Sequence, residues 1–272
     1  MSFRPSRYLR AVRTRAVPGR LGRNTVLTVS WLAVLAIGST ASASGLTGGG
    51  TALGGSHAVH DTRATSAVGA IFHGTVSSSG DHFCSAGVVD SPQGDMIVTA
   101  AHCLSGSTAG LSFVPGYHDG RAPYGVWRLG DVTLDPRWTR DQDPDADVAF
   151  ATVLPLGGRR LQDVVGGFGL ETDHAPSATI RLTGYPSDAD APLTCVNRIT
   201  AYSATQLRIV CAAYSGGTSG SPWVTRQNTV MGVIGGYEQG GDTPDVSYSA
   251  VFGDAVATLY QDAVTQDPAN RS

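Results

Sequence analysis

The chain contains no lysine and only four cysteines in 272 residues, and charged residues make up just 15% of it. So low a charge content excludes a long coiled coil and charge-driven disorder. Helix-forming runs of Ala, Glu, Leu and Lys are scarce. No C-x-x-C or H-E-x-x-H spacing occurs and no D-x-D-x-D-G loop, so neither a zinc site nor a calcium hand is expected. No acid precedes Asp61, although seven of the nineteen basic residues (Arg4, Arg7, Arg10, Arg13, Arg15, Arg20, Arg23) fall before it. From Gly45 onward twelve arginines face 22 acids, and this net charge of −10 repels phosphate backbones and excludes nucleic acid as a partner.

Glycine is abundant, with 35 residues against 14 prolines, and 41% of the chain is hydrophobic. That combination favours many short strands joined by turns around a sizeable core. After the basic stretch comes an apolar run at 26–38, too short for a comfortable membrane span, followed by Ala41-Ser42-Ala43. The pattern predicts a secretory signal over 1–43, cleaved after Ala43, with an uncleaved anchor as the alternative. The released protein is expected to be extracellular, monomeric and without stable membrane association. Residues 44–66 are small and polar with no apolar period, as in a flexible linker or a short propeptide, and the folded domain is expected over 67–272.

Export implies an oxidising compartment, and Cys84, Cys103, Cys195 and Cys211 all lie in the body, so two disulfides are expected. Cys195 and Cys211 are equidistant from Ser203, which predicts a hairpin with the two facing each other across the ladder. Cys84 and Cys103 flank two apolar runs and the turn Ser91-Pro92-Gln93-Gly94, so a second local bridge is plausible. Ten to twelve β-rich runs punctuated by Gly, Pro, Asp and Ser argue for an all-β barrel or sandwich. Only the C-terminal FGDAVATLYQDAV has the three-and-four spacing of a helix.

Three segments carry candidate chemistry. In Gly216-Gly217-Thr218-Ser219-Gly220-Ser221-Pro222 a serine sits between glycines, a turn that exposes its hydroxyl and lets backbone N–H groups converge on an anion. In Val98-Thr99-Ala100-Ala101-His102-Cys103 a histidine follows an apolar strand and adjoins a cysteine, and in Asp145-Ala146-Asp147-Val148-Ala149-Phe150 an aspartate leads into another strand. Each alone suits a structural turn or cap; together they stand in the order His, Asp, Ser of a nucleophilic triad.

With TAAHC, HFCSAG, DVAF, GGTSGSP and GVIGGY, the body resembles the trypsin/chymotrypsin-like serine peptidases over about 67–262, in a form similar to the secreted bacterial branch that includes the glutamyl endopeptidases. The resemblance implies two six-stranded antiparallel β-barrels with a C-terminal helix. It implies Ser219 as nucleophile, His102 as general base, Asp147 as its orienting partner, and the N–H groups of Gly217 and Ser219 as oxyanion hole. Protein or peptide substrates are then expected, hydrolysed without metal or organic cofactor, with protein inhibitors as further partners; an inactive binding homologue and an esterase with the same triad are the rival readings. Thr218 stands where the trypsin pattern has an aspartate for the freed N-terminus, so a zymogen here would need another means of holding its catalytic loop. The primary pocket is expected from Ala213, Ile234, Gly235, Gly236 and Tyr237, with neither the trypsin aspartate nor the glutamyl histidine in place.

Overall fold

The computed structural model describes residues 54–59, 62, 65–74, 76, 81–173 and 177–266. The expected signal segment, 1–43, lies outside the described residues, as do residues 44–53 of the expected linker. The described part of that linker contributes an edge strand, β1 (Ser56–Ala58), paired antiparallel with Leu193–Cys195 of the second half of the fold. Three short residues satisfy an exposed sheet edge with backbone hydrogen bonds alone, which needs no apolar period and so leaves no mark in the sequence pattern.

The first half contains β2 (Val68–His73), β3 (His82–Val89), β4 (Met96–Thr99), β5 (Leu111–Pro115), β6 (Trp127–Leu134) and β7 (Ala149–Val153). They close into one barrel in the order β2-β3-β4-β7-β6-β5. Closure buries Ile71, Val98, Phe113, Trp127 and Phe150 completely, each contributing about 1.5–3 kcal/mol of hydrophobic stabilisation. Two short helices, α1 (Pro136–Asp141) and α2 (Leu161–Val165), follow β6 and β7. Asp135 caps α1 by accepting from Arg137 N, with proline at the first helical position where its missing N–H costs nothing.

The second half contains β8 (Gly169–Leu170), β9 (Thr179–Gly184), β10 (Leu193–Arg198), β11 (Thr200–Ala201), β12 (Gln206–Val210), β13 (Pro222–Thr225), β14 (Thr229–Val233) and β15 (Val246–Ala250). Its hydrogen bonds form a six-stranded sheet, β1-β10-β9-β13-β14-β8, and a three-stranded one, β11-β12-β15. The two enclose Leu182, Leu207, Ile209, Trp223 and Met231, so this half is completed by side-chain packing and single links such as Gly235 N to Tyr248 O rather than by a continuous ladder.

Both disulfides are present, Cys84–Cys103 and Cys195–Cys211, with Cα atoms 6.2 and 6.0 Å apart. The hairpin drawn around Ser203 is not formed in the expected register. Thr200 opposes Arg208 and Ala201 opposes Leu207, whereas Cys195 opposes Leu182 of β9. Ile199, fully buried with its amide on Ala178 O, breaks the strand between β10 and β11, and the cysteines meet between sheets. The C-terminal helix, α3 (Asp254–Gln266), sets Val256, Leu259 and Ala263 against the first barrel, where Tyr260 meets Phe150 edge-on and donates to Asp90 O at 2.7 Å.

Candidate active site

Asp147 follows a single 3-10 turn, Pro144–Ala146, that Asp143 caps, and immediately precedes the buried entry to β7. Its side chain is fully buried and meets three N–H donors. Oδ2 lies 2.8 Å from His102 Nδ1 and 2.9 Å from Gly236 N, and Oδ1 accepts from His102 N at 2.9 Å. An ionised carboxylate only accepts, so Nδ1 carries the proton and Nε2 presents a lone pair on the opposite side of the ring. Asp145 serves elsewhere, accepting from Gln206 Nε2 at 2.6 Å.

His102 occupies a 3-10 turn at the end of β4, its side chain 15% exposed. The disulfide sulfurs lie within 4.8 Å of a ring nitrogen and, being bonded to each other, offer no thiolate to a metal. Trp138 of α1 backs the imidazole at 6.4 Å between ring centres and is fixed by its Nε1–H on Ser105 Oγ at 2.7 Å.

The Ser219 turn docks against this barrel through backbone. A β-carbon at Gly220 would lie 2.0 Å from Thr99 Oγ1 and 2.2 Å from Ser85 O, so only glycine admits the approach. Each carbonyl from Ser215 to Ser219 is held. Thr218 Oγ1 donates to Ser215 O (2.6 Å), Ser187 N to Gly216 O (2.7 Å), Ser85 Oγ to Gly217 O (3.0 Å), Ser221 Oγ to Thr218 O (2.6 Å), and Ser85 N to Ser219 O (2.7 Å). In a trans peptide the N–H points opposite to the C=O. Fixing Gly216 O and Thr218 O therefore aims the N–H groups of Gly217 and Ser219 the other way, and neither meets an acceptor among the described residues. Gly217 has φ of 89°, and a β-carbon there would lie 2.6 Å from Ser187 N.

Beside Ser219 opens a cavity of 320 Å³, walled by Tyr214, Ser215 and Gly216 on one side and by Ile234 and residues 239–244 on the other. Of the residues expected to line it, Ile234 does. Ala213 is instead exposed at φ 68° with its amide on Asp245 Oδ1. Gly235 and Gly236 pass against Asp147 and Gln206, where β-carbons would come within 3.0 and 2.3 Å of side-chain oxygens. Tyr237 turns to Tyr202 and Tyr248, with ring centres 5.1 and 5.0 Å away. The wall at 239–244 was missed because the left-handed backbone at Glu238 and Gln239 redirects the chain in a way that non-glycine residues rarely signal. Ser85, Ser187, Gln206 and Trp138 also escaped sequence reasoning; Ser85 lay within the HFCSAG segment, but nothing there marks its hydroxyl as a link between barrels.

Comparison with known proteins agrees with this architecture. Among solved structures, the chain aligns with the protease Anisep from Arthrobacter nicotinovorans at a TM-score of 0.66 and 24% identity, over 78% of this chain and 100% of that one. The thermostable serine protease AL20 from an extremophilic microorganism aligns at 0.65 and 24%, over 76% and 100%. A Glu endopeptidase structure aligns at 0.63 and 16%, over 79% and 99%. No curated protein matches the chain by sequence. The family described as "Trypsin-like peptidase domain" matches residues 84–233, a span that runs from Cys84 through the whole Ser219 turn to the end of β14. The chain belongs to the trypsin-like peptidase family and is a serine endopeptidase of chymotrypsin-like fold.

Proposed function

We propose that this protein is a secreted endopeptidase that cleaves through Ser219, His102 and Asp147 by way of an acyl-enzyme. The observation that carries the reading is the buried Asp147 carboxylate 2.8 Å from His102 Nδ1, which leaves Nε2 free to act as a base. Ser219 Oγ attacks the scissile carbonyl, His102 takes its proton and returns it to the leaving amine, and Asp147 stabilises the imidazolium between the two steps. The oxyanion is met by the N–H groups of Gly217 and Ser219, an interaction worth about 3 kcal/mol in the transition state. Water then repeats the sequence on the acyl-enzyme, and Ser219 is released.

The cavity beside Ser219 takes the side chain before the cut. Asp242 is the one charged residue lining it, so an acidic side chain would find no cation there and is disfavoured. Two disulfides suit an oxidising, extracellular setting. A processing point before Gly54 is supported by the Gly54 N bond to Val196 O and by β1 on the edge of β10, which a chain beginning at Ala67 would leave bare.

The test is a fluorophosphonate probe applied to the secreted protein and to Ser219→Ala, with a mixed peptide library digested in parallel. Labelling and cleavage are expected in the wild type and absent from the variant. A folded, processed wild type that stays unlabelled would overturn the reading in favour of an inactive binding homologue; labelling with ester but no peptide cleavage would favour an esterase.

A further inference from the structure

Ser85 lies in β3, in the barrel opposite the Ser219 turn, and no part of it reaches solvent. Each of its polar groups is engaged. Its amide donates to Ser219 O at 2.7 Å and its hydroxyl to Gly217 O at 3.0 Å. The hydroxyl accepts from Tyr185 N at 2.9 Å, and the carbonyl accepts from Thr99 Oγ1 at 2.7 Å. A serine hydroxyl has one proton and two lone pairs, so it can take the Tyr185 N–H and give its own proton to Gly217 at once. The Tyr185 bond removes the rotor position in which the proton would point toward β9.

The N–H groups of Gly217 and Ser219 meet no acceptor among the described residues. Ser85 holds the C=O of each, Gly217 by its hydroxyl and Ser219 by its amide, and so fixes the peptide planes that follow the two donors, while Ser187 N and Ser221 Oγ hold Gly216 O and Thr218 O in the planes that carry the N–H groups themselves. Its neighbour Cys84 is bonded to Cys103, which follows His102, and Thr99 lies three residues before His102. One buried residue thus ties the oxyanion donors, the second barrel and the histidine strand to a single point.

We infer that Ser85 is a positioning residue that locks the turn on the C-terminal side of both oxyanion donors, so that neither donor residue can rotate away, doing with neutral hydrogen bonds what an ion pair at position 218 would otherwise do. Thr218 has no charge, so the loop's catalytic shape depends on this clasp and on the bonds from Ser187 N and Ser221 Oγ rather than on a freed N-terminal ammonium. The inference rests on the triad reading above.

Ser85→Ala removes the hydroxyl and leaves the amide bond to Ser219. Measured per titrated active site, kcat is expected to fall by about 30- to 100-fold, part of the loss known for deleting an oxyanion donor, with KM within about twofold. A peptide aldehyde, whose adduct places an oxyanion in the hole, should bind weaker by the same factor, and Ser85→Thr should recover most of the activity. A purely structural role would lower the melting temperature and the titrated fraction, without moving kcat per site or the aldehyde affinity. Where Ser85→Ala shows no thermal transition, Ser85→Thr and Ser85→Val carry the test at equal volume, the hydroxyl-bearing variant being expected to exceed the other at least tenfold in kcat. Equal kcat per site with and without the hydroxyl overturns the inference, as does a kcat loss that the aldehyde does not share. A wild type unreactive to fluorophosphonate would instead overturn the triad reading itself, so the two failures are separable.

Discussion

Replacing Asp147 by asparagine changes the chemistry of one atom at the point where both barrels converge. The carboxylate accepts from three donors, His102 Nδ1 and Gly236 N on Oδ2 and His102 N on Oδ1. Asparagine offers one oxygen and one NH₂ that only donates. With the oxygen toward the imidazole, the NH₂ confronts the His102 amide; with the groups exchanged, the NH₂ confronts Gly236 N–H and drives the imidazole proton to Nε2. Either arrangement leaves a buried donor unpaired, which costs about 1–3 kcal/mol of stability. The second also removes the lone pair that must take the Ser219 proton, and the matching change in the triad template lowers kcat by about 10⁴. The assay pairs kcat on a chromogenic peptide at pH 7 with thermal unfolding of the same preparation. Asp145→Asn is the control, because Asp145 holds Gln206 rather than His102 and should lose less than about tenfold, a structural change of the few-tenths to 1.5 kcal/mol class. An Asp147→Asn protein that unfolds cooperatively and keeps kcat within about tenfold of wild type would refute the assigned role.

Gly217→Ala forces a β-carbon to within 2.6 Å of Ser187 N and 2.7 Å of Tyr185 O at a φ of 89°, so the turn must move and peptide cleavage should fall at least about a hundredfold, measured by kcat/KM beside Gly216→Ala, whose β-carbon would meet only Ser187 Oγ at 3.7 Å. The two disulfides close loops of similar span, 19 and 16 residues, so replacing either pair by alanine should cost about 3 kcal/mol in denaturant melts. Activity should separate them: loss of Cys84–Cys103, which adjoins both Ser85 and His102, lowers kcat of the folded fraction, whereas loss of Cys195–Cys211 leaves it near wild type. His82 is 2% exposed, gives its Nε2 proton to Pro186 O at 2.9 Å and leaves Nδ1 without a partner among Phe72, Tyr117 and Tyr185. Burial holds its pKa below the ordinary 6.5 despite the opposing pull of the Pro186 carbonyl and of Asp190, so the unfolded chain binds the proton more readily. Its contribution to stability is therefore complete above pH 6.5 and is lost as pH falls below that value; His82→Gln should flatten this part of the pH-stability curve, and an unchanged curve would remove His82 as its source.

Where side chains carry the structure, the sequence announces it. Apolar runs interrupted by Gly, Pro and Asp mark the strands of the first barrel, and the spacing of Val256, Leu259 and Ala263 marks α3, because burying these residues is what makes the elements stable. The histidine, aspartate and serine segments are legible for a similar reason, since each pairs a reactive side chain with small neighbours. What stays hidden is work done by the backbone. Gly236 N on Asp147, Ser187 N on Gly216 O and Ser85 N on Ser219 O are donated by main-chain groups that carry no side-chain signature, and they join positions far apart in the chain. The hairpin register around Ser203 failed on the same ground: symmetry about a turn is a local property, and the pairing was decided by β9, which takes β10 as its neighbour and leaves β11 to β12. The glycines at 217, 220 and 235 are the one trace such contacts leave, because backbone can approach backbone or a carboxylate this closely only where no β-carbon intervenes. A glycine-rich segment beside a candidate nucleophile therefore records the closeness of the opposing barrel more directly than it records flexibility, and the residue it touches there is where further positioning groups are to be sought.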